Sequence, residues 1–546
     1  MKAPYYSLVK ELRLAFPQPV SDRIHDAYFG HAIMQAIEKV DGMKSARPML
    51  GEPVELDFEA ARQCRIKDEA VPLEDVTEKL VSYLSGIFVW GHPRSQINVI
   101  PPATIPSIIG NLLPSIYNPN LVSEETSLSV AVAEVEVTAI AADLVGYDSS
   151  QAGGVFTFGG TGTLLYAIRT GLEKACPGTA QTGLKEEAVV VCSETAHYSC
   201  RTVASWLGLG ADNVIEVPTS PENEVRTCLL ETMLRDALKQ GKKIAAIVAT
   251  MGTTDAFGLD NLEEIAEIRD RLVDEFSLNY VPHLHADAVI GWAWSVFNDY
   301  DMDANPLGFR HRTIRALAGT RRRIMHLSLA DSIGVDFHKT GFTPYVSSVY
   351  LVKSQADLER IAREPSSMPY LFQSGEHHPG RYTLETSRSG SGPMAAMGSL
   401  MLLGKNGLRA LLGHLVTMSE TLAEHLEGNA STHVLNGENF GPVTLFRVYP
   451  PGVDTFSVPV QEHSNPEYRE TVLAHNDYNR RIFDEIHSEA LQGRGVVISL
   501  TECYRETDYG VPIVALKSYI MSPFSDEKYV DAVLESISRA REIVDP

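Results

Sequence analysis

Ala330-Asp-Ser-Ile-Gly-Val-Asp-Phe-His-Lys339 decides how the rest of the chain is read. Residues 333–337 form a short run, mostly apolar, with a histidine and a lysine directly behind it. A run of this length and composition reads as a buried strand. Lysine is costly to bury unless it is paired or chemically modified, so Lys339 at a strand end calls for a chemical reason. Working outward, similar runs recur at 189–192, 244–250, 283–289 and 349–352. Helical spacing marks 164–175, 201–207 and 262–276 between them. Apolar strands alternating with amphipathic helices predict an α/β fold, a mostly parallel sheet covered on both faces. Ligands of such sheets bind at the carboxyl ends of the strands, so the loops there are where chemistry is expected.

The 546 residues admit three or four units at about 150 residues each, or one large α/β domain with smaller flanking pieces. Three stretches are expected: a helical arm over 1–90, a large α/β domain over 91–395 and a smaller α/β domain over 396–546. In the arm, helical patterns cover 22–40 and 69–88. The last stretch has helix patterns at 397–403 and 466–491 and strand patterns at 443–448, 495–500 and 513–519. The composition, 44% apolar and 21% charged, is that of a globular protein. A net charge of −23 repels phosphate backbones and argues against a nucleic-acid partner. Six scattered cysteines without a CxxC pair suit a reducing cytoplasm. With no apolar run of 18 residues and no apolar segment at the N-terminus, neither membrane insertion nor secretion is expected.

Four strand-end loops carry candidate chemistry. Gly159-Gly-Thr-Gly162 follows Val155-Phe-Thr-Phe158 and opens a helix. Backbone N–H groups at such a turn can cradle a phosphate, although the turn is neither a Walker A motif nor a full dinucleotide fingerprint. His197 follows the 189–192 strand and could stack on a planar ring. Asp287 in His285-Ala-Asp287 could bond a protonated ring nitrogen. His283 and His285 share a strand face, but no third ligand has convincing spacing, so no metal is expected. Lys339 could form an imine with a carbonyl cofactor. Each signal alone is weak. Together, in this order, they supply phosphate cradle, ring stacker, ring-nitrogen partner and imine-forming lysine, the set that pyridoxal 5'-phosphate needs.

With these residues in place, the chain resembles the group II pyridoxal-phosphate-dependent amino-acid decarboxylases, well over about 90–400 and loosely beyond. The resemblance implies the fold-type-I, aspartate-aminotransferase-like architecture: a mostly parallel, seven-stranded type of sheet with a smaller C-terminal α/β domain. Ala330 to Lys339 looks like the family's lysine block, and Ala249-Thr-Met-Gly-Thr-Thr254 like its Gly-Thr-Thr strand end. The resemblance implies Gly160 and Thr161 as phosphate contacts, Thr254 near the ring, and His338 and Lys339 as the His-Lys pair. Asp336 matches a polar position before that pair. Two segments are similar to bacterial tyrosine decarboxylases: His338-Lys-Thr-Gly-Phe-Thr-Pro-Tyr345, and Ala196-His-Tyr-Ser199 with Leu207-Gly-Leu-Gly210. The 52 residues from Asp287 to Lys339 resemble their insertion there. His285-Ala-Asp-Ala-Val289 and Ser387-Arg-Ser-Gly390 depart from the commoner His-Val-Asp-Ala-Ala and Ser-Lys-Ala-Gly.

The implied reaction is decarboxylation of an L-amino acid to the amine and carbon dioxide. Aromatic substrates such as tyrosine lead, with glutamate or aspartate next. A carbon–carbon lyase on the same scaffold is the nearest rival. The resemblance also points to a loop tyrosine as proton donor to Cα. Over 363–383, Tyr370 is the first choice and Tyr382 the second. Arg388 could meet a substrate carboxylate or the cofactor phosphate, or else be structural. The six arginines within 310–323 read as a solvated or subunit-facing helix that offsets the acidic surface. The family likeness implies a homodimer with the site at its interface, and the 1–90 stretch suits a swapped arm.

Overall fold

The computed structural model describes residues 4–372 and 374–545. Seven strands form the main sheet: β1 (Gly153–Thr157), β2 (Ala188–Ser193), β3 (Val214–Val217), β4 (Lys243–Thr250), β5 (His283–Asp287), β6 (Ser332–Asp336) and β7 (Ser348–Val352). Their order is β1-β7-β6-β5-β4-β2-β3. The pairs β3/β2, β2/β4, β4/β5 and β5/β6 are parallel, while β7 runs against both neighbours. Strands β2, β5, β6 and β7 are buried at every position, as expected of strands covered on both faces.

Four helices position the site: α1 (Ile105–Tyr117), α2 (Ser129–Val145), α3 (Gly160–Ala175) and α4 (Ser391–Glu427). Helix α3 lies across the middle of the sheet. The chain can bring it close because Gly171 has no side chain: a Cβ there would sit 2.3 Å from the Ala245 carbonyl oxygen. At its start Gly159 has φ 106°, a left-handed conformation that favours glycine, and turns the chain from β1 into the helix.

A second sheet, in the order β10-β11-β9-β8, contains β8 (Thr432–Val434), β9 (Val443–Val448), β10 (Ser499–Glu506) and β11 (Pro512–Tyr519). The boundary expected at 395/396 falls inside α4, which runs from one sheet to the other with a non-helical residue at Gly404. The arm pattern over 69–88 shortens to a helix at Leu73–Ser82, which follows Pro72 and gives way to turns through Gly86. The strand expected at 495–500 begins at Ser499 instead, because β10 is a half-exposed edge strand whose residues are largely polar. The arginine-rich stretch forms the helix His311–Ile324. Arg310, Arg312 and Arg323 are ion-paired with Glu527, Glu420 and Glu224. Among the described residues, no helix is long and apolar enough to cross a membrane.

Candidate active site

The carboxyl ends of β1, β2, β4, β5 and β6 gather the strand-end residues on one side of the sheet. Asp287 closes β5, and Asp336 closes β6 and caps the short helix Phe337–Thr340 that carries Lys339. Asp336 is 1% exposed, and both of its carboxylate oxygens face polar neighbours. One oxygen accepts from Ser348 Oγ at 2.6 Å, and the other lies 2.8 Å from Lys339 Nζ and 3.5 Å from His338 Nε2. A buried carboxylate thus faces the lysine ammonium, which supplies the pairing that a lysine in this position requires. His338 is held on its other side: its Nδ1 accepts the Ser347 N–H at 3.3 Å, and its ring packs 4.2 Å from that of Tyr345. Burial pushes the His338 pKa down.

Asp287 is 5% exposed and has no ion-pair partner within 4 Å among the described residues. Burial raises its pKa to about 6; the Lys339 charge opposes the rise and the Asp336 charge adds to it. A cation placed against this carboxylate would stabilise its ionised form.

His197 sits after β2, half-buried. Its Nδ1 accepts the Ser199 N–H at 3.2 Å and lies 2.6 Å from Ser199 Oγ, so the ring hydrogen belongs on Nε2. Burial lowers its pKa, and the Lys339 charge lowers it further, which keeps the imidazole neutral at pH 7. His197, Thr253 and Thr254 line one cleft of about 370 Å³ together with Asp255 and Tyr504. The glycine turn is close by: a Cβ on Gly160 would meet Val289 Cγ1 at 3.0 Å and Asp336 Oδ2 at 3.2 Å. Thr161 is exposed in the first turn of α3. The structure therefore brings the glycine turn, Asp336, His338 and Lys339 into contact, with Asp287 and His197 within the electrostatic reach of Lys339.

Two expected residues behave differently from their neighbours. Arg388 is 7% exposed, and its guanidinium pairs with Glu134 through both terminal nitrogens, at 2.5 and 3.1 Å. The same nitrogens donate to the carbonyls of Phe156 and Leu121. These bonds, to Glu134 of α2, Phe156 of β1 and Leu121 of the loop before α2, support the structural alternative for Arg388. Sequence spacing gives no sign of this, since Glu134 lies 254 positions away in a helix that reads as apolar. Tyr370 stands 70% exposed on its loop, outside any core. Glu124 and Glu125 hold the following segment, accepting backbone N–H groups from Phe372, Ser374, Glu376 and His377. Tyr382, by contrast, packs against the apolar cluster of Val155, Tyr166 and Leu358, and burial raises its pKa to about 12. Ser348, which orients Asp336, was not singled out by its sequence because a serine inside an apolar strand carries no motif.

Residues 58–448 match the model of the pyridoxal-dependent decarboxylase conserved domain. The chain belongs to this family and is a pyridoxal-phosphate-dependent amino-acid decarboxylase. It is 27% identical over 378 residues to an L-2,4-diaminobutyrate decarboxylase of Acinetobacter baumannii, covering 66% of this chain and 68% of that protein. It is 26% identical over 250 residues to an L-tyrosine decarboxylase of Enterococcus faecium, covering 43% and 40%. Among solved structures, Oryza sativa TDC with PLP and tryptamine superposes with a TM-score of 0.75 at 14% identity, over 96% of this chain and 99% of that one. The last likeness establishes the fold.

The residues fit the cofactor: a glycine-started helix for a phosphate, a neutral imidazole for a ring face, a buried carboxylate for a ring nitrogen and a paired lysine for the aldehyde. Replacing Arg388 with Met tests that structural reading. It should destabilise the fold by about 3–5 kcal/mol, because Glu134 is left buried and uncompensated. Chemical denaturation should show that loss, and the KM of the surviving folded enzyme should stay near wild type.

Proposed function

We propose that the enzyme decarboxylates an aromatic L-amino acid such as tyrosine. The observation that carries this reading is the cleft beside the His-Lys pair. Phe156, Phe158, Tyr345 and Val346 form its apolar part, beside Glu385, Arg388 and three serines, and the Tyr345 ring packs at a tilt on His338, 4.2 Å away. An aromatic side chain would find apolar and ring surface there. An acidic side chain would need a cation, and Arg388, which borders the same cleft, is already held by Glu134.

When bound, pyridoxal phosphate supplies a conjugated, electron-accepting ring next to the substrate Cα. Lys339 is its covalent anchor, and Asp336 holds that amine in place. Asp287 would accept the ring-nitrogen hydrogen and be kept anionic by that contact. His197 and Thr254 would lie beside the ring. Gly160 and Thr161 present backbone N–H groups to the phosphate. Tyr370 then delivers the proton to Cα that completes the amine. Its exposure supports this role, because a lid residue has to meet a substrate that arrives from solvent.

We further propose a homodimer. Ile105, Ile108, Ile109, Leu112, Leu113 and Tyr117 of α1 are each at least 40% exposed, more contiguous apolar surface than a monomer ordinarily presents. The arm helix Arg23–Asp41 buries none of its residues within its own chain, as a segment that packs on a second copy would.

Carbon dioxide release across tyrosine, phenylalanine, tryptophan, glutamate, aspartate and 2,4-diaminobutyrate tests the substrate. Release is expected from the aromatic members; release confined to the acidic or diamino members would overturn the aromatic reading. Tyr370→Phe keeps the ring and removes the hydroxyl, and it should lower amine formation roughly 10²-fold. Normal amine production by that variant, with loss in Tyr382→Phe, would transfer the role to Tyr382. Light scattering should give twice the chain mass, and a monomer with full activity would count against the dimer.

A further inference from the structure

A line of buried donors runs beneath the cleft, between α3 and the sheet. Alternation along β5 places His283, His285 and Asp287 on one face. At the outer end Lys174 of α3 is held by Asp357 at 2.7 Å and sets its ammonium 3.0 Å from His283 Nδ1. An ammonium can only donate, so His283 Nδ1 accepts and the ring hydrogen sits on Nε2. That Nε2–H donates to Ser332 Oγ at 2.7 Å. In the tautomer in which the serine hydroxyl donates to His285 Nδ1, 2.8 Å away, the His285 ring hydrogen is on Nε2 and the line that Lys174 starts ends on a donor. The Tyr350 hydroxyl and the Ser332 carbonyl also bond to this pair.

At that end three sealed atoms meet no protein partner: His285 Nε2, Asp287 Oδ1 and Thr250 Oγ1. Their residues are 0%, 5% and 4% exposed. Thr250 lies directly across from Asp287 in the parallel β4–β5 register, so the two share a sheet face. His285 and Asp287 are two residues apart on that face, a separation of about 6.6 Å along the strand. A bridging water spans such a gap, and buried waters ordinarily have about three polar partners. One donor and two acceptors on adjacent positions are what such a water needs, and leaving all three unpaired would be costly.

We propose that one buried water, held by Thr250 Oγ1, His285 Nε2 and Asp287 Oδ1, joins this line to the carboxylate and makes His285 a positioning residue for the cofactor. The proposal rests on reading Asp287 as the partner of the ring nitrogen. A donor on Oδ1, beside the Val289 N–H that also bonds this carboxylate, fixes its plane. It also stabilises the anion, which burial otherwise disfavours. The other titratable groups whose charges act on this carboxylate or respond to it are Lys339, Asp336 and Cys200.

The test uses His285→Phe, Thr250→Val, Thr250→Ser and Lys174→Met, with Asp287→Asn as reference. For each, three quantities are read: the Kd of the apoprotein for pyridoxal phosphate, the absorbance spectrum of the bound cofactor at one fixed pH, and apoprotein melting. His285→Phe and Thr250→Val should each weaken binding about tenfold. Both should shift the spectrum in the direction that Asp287→Asn shifts it. Lys174→Met should do the same to a smaller degree, and Thr250→Ser should restore wild-type values. A crystal structure of the holoenzyme should show the water within hydrogen-bond distance of all three atoms. Wild-type affinity and spectrum in folded His285→Phe and Thr250→Val, beside an altered Asp287→Asn, would overturn the proposal alone. A silent Asp287→Asn would overturn the ring-nitrogen reading and this inference with it. Should His285→Phe fail to fold, the Thr250→Val and Thr250→Ser pair decides.

Discussion

Parallel pairing of β4, β5 and β6 is the constraint on which the rest depends. Parallel strands all finish on one side of the sheet, so residues far apart in sequence arrive together. The register sets Thr250 beside Asp287 and Asp287 beside Gly334, two residues before Asp336. Helix α3 can start over these strand ends because Gly160 adds no side chain and Gly171 lets the helix lie against β4. Displacing β5 by one residue would turn Asp287 away from the lysine and bring an alanine in its place.

Much of this was legible in the sequence because the strands are buried on both faces. Continuous apolar runs mark β2, β4 and β7, and the chemistry-bearing residues stand out where each run stops. Lys339, Asp287 and His197 carry their own signal in this way. What escaped notice has a common physical cause. Glu134, Ser332, Thr250 and Ser348 act through partners brought in by tertiary packing, and each sits within a helix or strand that looks otherwise ordinary. Arg388 illustrates the cost: an arginine near a serine-rich turn reads as a ligand-binding cation until the fold shows the carboxylate beneath it. That His283 and His285 share Ser332 as a partner is equally invisible in their spacing. The edge strand β10 was caught only at Ser499 and Leu500, since its half-exposed, largely polar remainder has no apolar pattern to betray it.

Charge balance explains why these groups belong together. Asp287 and Asp336 place two carboxylates in the strand-end site, and Lys339 is the cation that acts on both. Asp287 is the one without an ion pair, and burial, with the Asp336 charge adding to it, raises its pKa to about 6. A protonated ring nitrogen set against it would remove the imbalance, and the phosphate would meet the backbone dipoles at the start of α3 rather than a third carboxylate. The site is therefore organised for an occupant that is cationic at one end and anionic at the other. Binding such a group to the folded chain alone also draws the folding equilibrium toward the native state. The same arrangement that tunes the chemistry thus offsets part of the cost of holding Asp287 away from water.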